Sequence, residues 1–258
     1  MVPTHKLDCV RTVSISESAG TSVTNDPSGD ARTLFPLQAA LGYNLAQSLF
    51  IGPNNLVVEG VTDFWIISSV SDWLREQGSV ALSPELTLTP AGGAQKVSYM
   101  VALLTSESLN VLVLLDAEKD ARSTKDELVR AKLIREENVV FVSEGVSPSA
   151  STEADIEDLL EPSVYEALIL ESYAKELKNK TLKPNLNIPR IAKRFEAALK
   201  EVGIEFHKTR PTRLFLKKMA ADPAAIVNPA TARRFSALFG VINERLKKHA
   251  AKSVIPFQ

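Results

Sequence analysis

The sequence is poor in the features that would place it outside the cell or inside a membrane. It has one cysteine, Cys9, in 258 residues, which excludes an intramolecular disulfide and suits a reducing cytoplasm. No apolar run approaches the roughly 20 residues of a bilayer-spanning helix, and no signal peptide is legible. Neither sign of charge dominates. Lys and Arg number 30 against 31 Asp and Glu, so a polyanion would have to be met by a local patch rather than by the overall field. The three histidines, His5, His207 and His249, lack zinc-ligand spacing. No G-x-x-x-x-G-K-[ST] loop is there to bind ATP, and no Ser–His–Asp arrangement follows from spacing. What is there is globular: 45% hydrophobic and 24% charged residues suffice for a sizeable core in one large or two smaller domains.

Residues 1–33 differ from the rest. A strand-like piece, Val10 to Ile15, precedes a Ser/Thr/Gly/Asp-rich stretch, which reads as a remnant of a preceding domain or as a linker. From residue 34 to 153 the hydrophobic period keeps switching. Helical patterns are expected at Phe35–Phe50, Thr62–Gln77, Ala94–Leu104 and Thr124–Glu136. Short apolar or β-branched runs, expected as strands, lie at Leu56–Val58, Glu85–Thr89, Asn110–Leu115 and Asn138–Ser143. Such alternation implies βαβ crossovers and a mainly parallel, Rossmann-like sheet. Residues 154–258 read as helices at Ala154–Lys178, Pro189–Val202, Thr212–Ala221 and Pro229–Lys248, part of which is expected to pack back on the core. The predicted class is therefore α/β with an all-helical C-terminal portion. Trp65 and Trp73, eight apart on one helical pattern, read as core.

Two acidic motifs stand just beyond strand ends, where open parallel sheets place their chemistry. Glu59-Gly60-x-x-Asp63 follows the first strand of this region, with Asp63 opening the next helix. Asp116-x-Glu118 follows the third, and their spacing of two puts both side chains on one face of an extended backbone. Carboxylates gathered this closely must protonate, accept water or share a cation. An all-oxygen set favours Mg²⁺ or Mn²⁺. Acids are also common at helix N-termini for dipole reasons alone; Asp120 reads that way.

These motifs resemble the two signatures of the Toprim fold, and the wording Val58-Glu59-Gly60-Val61-Thr62-Asp63 and Leu115-Asp116-Ala117-Glu118 resembles the OLD (overcoming lysogenization defect) nucleases most. The resemblance covers about residues 50–220. It implies a metal-dependent DNA endonuclease that uses two divalent ions, preceded in the full-length chain by an ABC-type ATPase whose closing segment His5–Arg11 resembles. This stretch would itself bind no ATP. The resemblance implies Glu59, Asp116 and Glu118 as ligands and Asp63 as a further ligand or an orienting group. Asp155 or Glu157, in Thr152–Asp158, would add another. Two departures stand out: Asp-x-Glu replaces the usual Asp-x-Asp, and Lys119-Asp120 follows without a glycine.

Phosphoryl transfer also needs a protein cation. The resemblance places an essential lysine in His207-Lys208-Thr209-Arg210, with Lys208 first and Lys217 and Lys218 in reserve; such a cluster could equally be a solvated face. Gly92, Gly93 and Arg210 are weaker phosphate-binding candidates, since Pro90–Ala94 also reads as a plain β–α turn. Other readings are a topoisomerase- or primase-like Toprim enzyme, or a non-catalytic helical module that mediates dimerisation. DNA, the ATPase domain and a second copy of the chain are the expected partners.

Overall fold

The computed structural model describes residues 12–16, 20–24, 52–146, 153–178 and 180–253. The chain divides into two compact units, Met1–Gly52 and Pro53–Gln258. In the first, β1 (Thr12–Ser16) and β2 (Gly20–Thr24) form an antiparallel pair with Thr12 opposite Thr24. β2 falls in the polar stretch expected as a domain remnant or linker; its β-branched Thr21, Val23 and Thr24 carried a strand signal hidden by the surrounding Ser and Gly. The helix expected at Phe35–Phe50 lies outside the described residues, as does Cys9.

The second unit is built on β3 (Asn54–Val58), β4 (Leu86–Pro90), β5 (Asn110–Leu115) and β6 (Val139–Phe141). All are parallel, in the order β4-β3-β5-β6. Their apolar runs are continuous because both faces are covered: Leu56, Val57, Val113 and Val140 are all fully buried. Between the strands run α1 (Val61–Glu76), α2 (Val97–Ser106) and α3 (Lys119–Arg130).

After β6 come a short α4 (Ser143–Val146) and a 3-10 turn (Ile156–Leu159). Then follow α5 (Pro162–Ser172), α6 (Ala174–Leu177), α7 (Ile191–Glu201), α8 (Thr209–Ala221), α9 (Pro223–Ile226) and α10 (Pro229–Ser253). These helices share one core with the sheet: Leu56, Leu112 and Val140 belong to the same buried cluster as Phe195, Phe215, Phe235 and Phe239. Asn243 of α10 fastens the loop after α1, donating to Ala81 O at 2.7 Å and accepting from Ser83 N–H at 2.8 Å. No described helix is long and apolar enough to cross a membrane.

Three expected boundaries are corrected. The helix expected from Thr124 to Glu136 starts at Lys119, because Glu118 passes directly from extended backbone into the first turn. It stops at Arg130, where Lys132 takes φ +57° and Leu133 N–H turns back to Leu128 O at 3.1 Å. The strand expected at Asn138–Ser143 shrinks to three residues, since Asn138 closes a 3-10 turn and Ser143 opens α4. The single helix expected from Ala154 to Lys178 is broken in three. Ala154 is held in a bridge to Ala117, Pro162 forces Glu161 into extended backbone, and Tyr173 separates α5 from α6.

Candidate functional site

β3 and β5 are neighbours in parallel register, with Val57 beside Val113, so Glu59 and Asp116 emerge from the same edge of the sheet. Asp116 N–H donates to Glu59 Oε1 at 3.1 Å, which fixes that glutamate across the strand ends. Asp63 is placed by helix capping: its Oδ2 accepts Gly60 N–H at 2.8 Å, and the residue is buried. Two residues beyond β5 the backbone makes one further pairing. Ala117 N–H donates to Ala154 O at 2.7 Å and Ala154 N–H to Ala117 O at 3.1 Å. That bridge carries the segment after Ala154 to the sheet edge and delivers Asp155 and Glu157, both buried, beside the first acids.

Two cations close the cluster. Lys208 Nζ lies 3.1 Å from Glu157 Oε2 and 3.5 Å from Asp63 Oδ1. Its backbone is anchored by Tyr173, whose hydroxyl oxygen accepts His207 N–H at 2.7 Å. The other cation, Arg190, did not stand out in the sequence. Its Nη1 donates to Glu118 Oε2 at 2.5 Å and to Asp155 Oδ1 at 2.8 Å. Its position depends on Asp158, whose two oxygens accept Asp155 N–H and Ile191 N–H at 2.8 and 2.9 Å. A Pro-Arg step opening a helix was the sole sequence cue.

Six carboxylates thus meet one ammonium and one guanidinium, and their proton affinities respond. Burial pushes Asp116 well above the usual carboxylate range; Lys208 opposes this, while Asp155, Asp63 and Glu59 add to it. Burial likewise raises Glu59 against the pull of the Asp116 N–H. Glu157 is pushed up to about 7 by burial, despite Lys208. Burial acts to lower Lys208, but Glu157, Asp63, Asp116 and Asp155 outweigh it and hold the ammonium firmly charged. The Tyr165 hydroxyl, raised by burial and by Glu157, has no hydrogen-bond partner among the described residues.

The donor set suits a hard divalent cation, being all carboxylate. Among the described residues neither oxygen of buried Glu157 finds a well-directed hydrogen bond, although Lys208 stands close to one. A cavity of about 10 Å³ lies against Glu59, Asp63 and Asp116 over a floor of Val58, Leu114, Val142 and Ile156, about the room one water-sized occupant needs. Among the described residues no group of three or more ligating side chains is already gathered as a metal site.

The remaining candidates lie elsewhere or are already engaged. Gly93 N–H donates to Glu59 O at 2.7 Å and Ala91 N–H to Val58 O at 2.9 Å, so the Gly92-Gly93 turn secures the end of β3. Both glycines have positive φ, +85° and +131°, which favours glycine there. Arg210 stacks 4.1 Å over the Tyr173 ring, donates to Ser172 O and pairs with Glu176 at 2.8 Å. Lys218 pairs with Glu171 at 2.7 Å, and Lys217 is exposed on α8; neither contacts the acids in the described structure. The side chain of Asp120 lies outside the described residues. No family model matches this sequence, and no curated protein is similar enough to it to count as a relative.

Proposed function

We propose that the cluster is a divalent-cation site and that the chain is a nuclease cleaving phosphodiester bonds in DNA. One observation carries the reading: acids from two adjacent strand ends and from the Ala154 segment outnumber the cations among them and leave a small cavity between Glu59, Asp63 and Asp116. A structural core has no need of such an excess, which opposes folding. The resemblance to the Toprim region of OLD nucleases supplies the rest of the proposal, namely DNA as substrate and an ATPase domain as partner in the full-length chain.

Glu59, Asp63 and Asp116 would hold the ion. When bound, Mg²⁺ or Mn²⁺ supplies Lewis-acid assistance at phosphorus and makes water a better nucleophile. Lys208 presents its ammonium to the phosphate. Asp63 and Glu157 keep that ammonium charged and aimed, so little reorganisation is needed as negative charge develops.

A second reading has one specific observation behind it: Lys208 and Arg190 each bridge two acids, as in a self-neutralised polar core of a non-catalytic module. Nicking of supercoiled plasmid separates the two. The nuclease reading expects cleavage with Mg²⁺ or Mn²⁺, little with Zn²⁺ and none in EDTA. Cleavage that persists in EDTA, or Mn²⁺ calorimetry with no heat of binding, would sink it.

A further inference from the structure

The acids divide into two halves that differ in what faces them. Glu59 and Asp116 face the small cavity, and the one hydrogen bond described between them is Asp116 N–H to Glu59. Glu118 and Asp155 instead share a single guanidinium nitrogen, Arg190 Nη1, at 2.5 and 2.8 Å. An ion held by both of these carboxylates would need the place between the two oxygens that Arg190 Nη1 already engages. A guanidinium nitrogen and a metal ion cannot both occupy it.

We infer that Arg190 is a built-in counter-cation: it takes the place between Glu118 and Asp155, so that the chain binds one divalent ion, in the Glu59–Asp63–Asp116 half, where the family resemblance implies two. The inference rests on the metal reading proposed above.

The placement of Arg190 is fixed from the backbone. Asp158 accepts Asp155 N–H through one oxygen and Ile191 N–H through the other. One carboxylate therefore ties together the main chain of Asp155 and the residue after Arg190, setting the pair at the right separation before the side chains meet. The preceding turn is held as well, since Arg194 donates to the carbonyls of Ile188 and Pro189. The Arg190 side chain is 14% exposed, so solvent screens the pair little. Unlike a lysine, a guanidinium does not leave such a site by losing its proton. Its Nη1 carries two N–H donors, one for each carboxylate.

Counting bound Mn²⁺ per chain by equilibrium dialysis, on the full chain at pH 7.5 and low ionic strength, tests this without any activity measurement. Wild type should saturate at one ion with the spectrum of an isolated Mn²⁺. Arg190→Gln should saturate at two, with the line broadening of neighbouring coupled ions. Arg190→Lys, which keeps a positive charge at that point, should stay at one. A wild-type count of two overturns the inference and leaves the metal reading intact, whereas a count of zero removes both. R190Q remaining at one, or R190K rising to two, also overturns it. Should R190Q fail to fold, R190M replaces it in the same dialysis, with two ions expected and one ion overturning the inference.

Discussion

Glu157 is the member of the cluster whose removal gives the clearest free-energy signature. Burial raises it from an ordinary 4.5 to about 7, and a tenfold change in proton affinity is worth about 1.4 kcal/mol. Between pH 4.5 and 7 the folded protein therefore holds a proton that the unfolded chain has released. Stability contributed by this group is greatest below pH 4.5 and is lost as pH rises, by roughly 3 kcal/mol once pH exceeds 7. That is a large part of the 5–15 kcal/mol typical of a whole domain. Glu157→Gln keeps the neutral shape at every pH, so the desolvation of the uncharged group cancels in the comparison. Urea unfolding followed by circular dichroism, in EDTA, should find the two proteins similar near pH 4.5. At pH 8 E157Q should lead by between about 1 and 3 kcal/mol. Asp116, raised in the same direction, gives both proteins a further fall with pH and drops out of the difference. Parallel pH profiles, or an E157Q that is the weaker protein at pH 8, would refute the placement of an uncompensated glutamate beside Lys208.

Three further outcomes are expected. Asp116→Ala should abolish cleavage and weaken Mn²⁺ binding while thermal stability in EDTA stays level or rises, because the repulsion falls; wild-type cleavage with unchanged Mn²⁺ affinity would count against the site. Lys208→Ala should lower single-turnover cleavage by roughly a hundredfold or more while DNA binding without metal falls far less; a drop in binding alone would make Lys208 a backbone contact. Gly145→Ala should destabilise by about 1–3 kcal/mol in a denaturant titration, since the added Cβ would stand 2.8 Å from Leu238 Cβ and 3.1 Å from Arg234 O; an unchanged midpoint would show that α4 and α10 can part at little cost.

The sheet was legible because parallel strands covered on both faces leave continuous apolar runs, as in Asn110–Leu115, and because Gly and Pro punctuate the crossovers. The acids at its edge were legible for the same reason: a strand's end is visible, and Glu59 and Asp116 each follow one. Asp155 and Glu157 were reached through a family pattern; their physical cause, the Ala117–Ala154 bridge, is a two-residue contact without a periodic signal. Arg190 was beyond reach, since it matters through Asp158 and through acids 35 and 72 residues away. Helix ends failed where tertiary contacts override propensity: α3 starts at Lys119, on an N-cap Glu118 that lies three residues past the end of β5, although the residues from Thr124 on carry the stronger helical pattern.

The last long helix sets a timetable for synthesis. Phe235, Leu238, Phe239 and Ile242 of α10 are wholly buried, and Ser236 and Asn243 bond to a loop some 160 residues earlier. All four strands of the parallel sheet leave the ribosome before that helix does. A nascent chain that has reached Val227 already holds every strand and every acid of the cluster, yet its share of the core facing α10 is unroofed. Closure then depends on pairing over the longest sequence separations in the fold, the slow class of contact, and until it happens the half-built sheet offers an apolar face to its neighbours. The acids of the sheet edge, with Arg190 and Lys208, are thus all synthesised before the helix that completes the core.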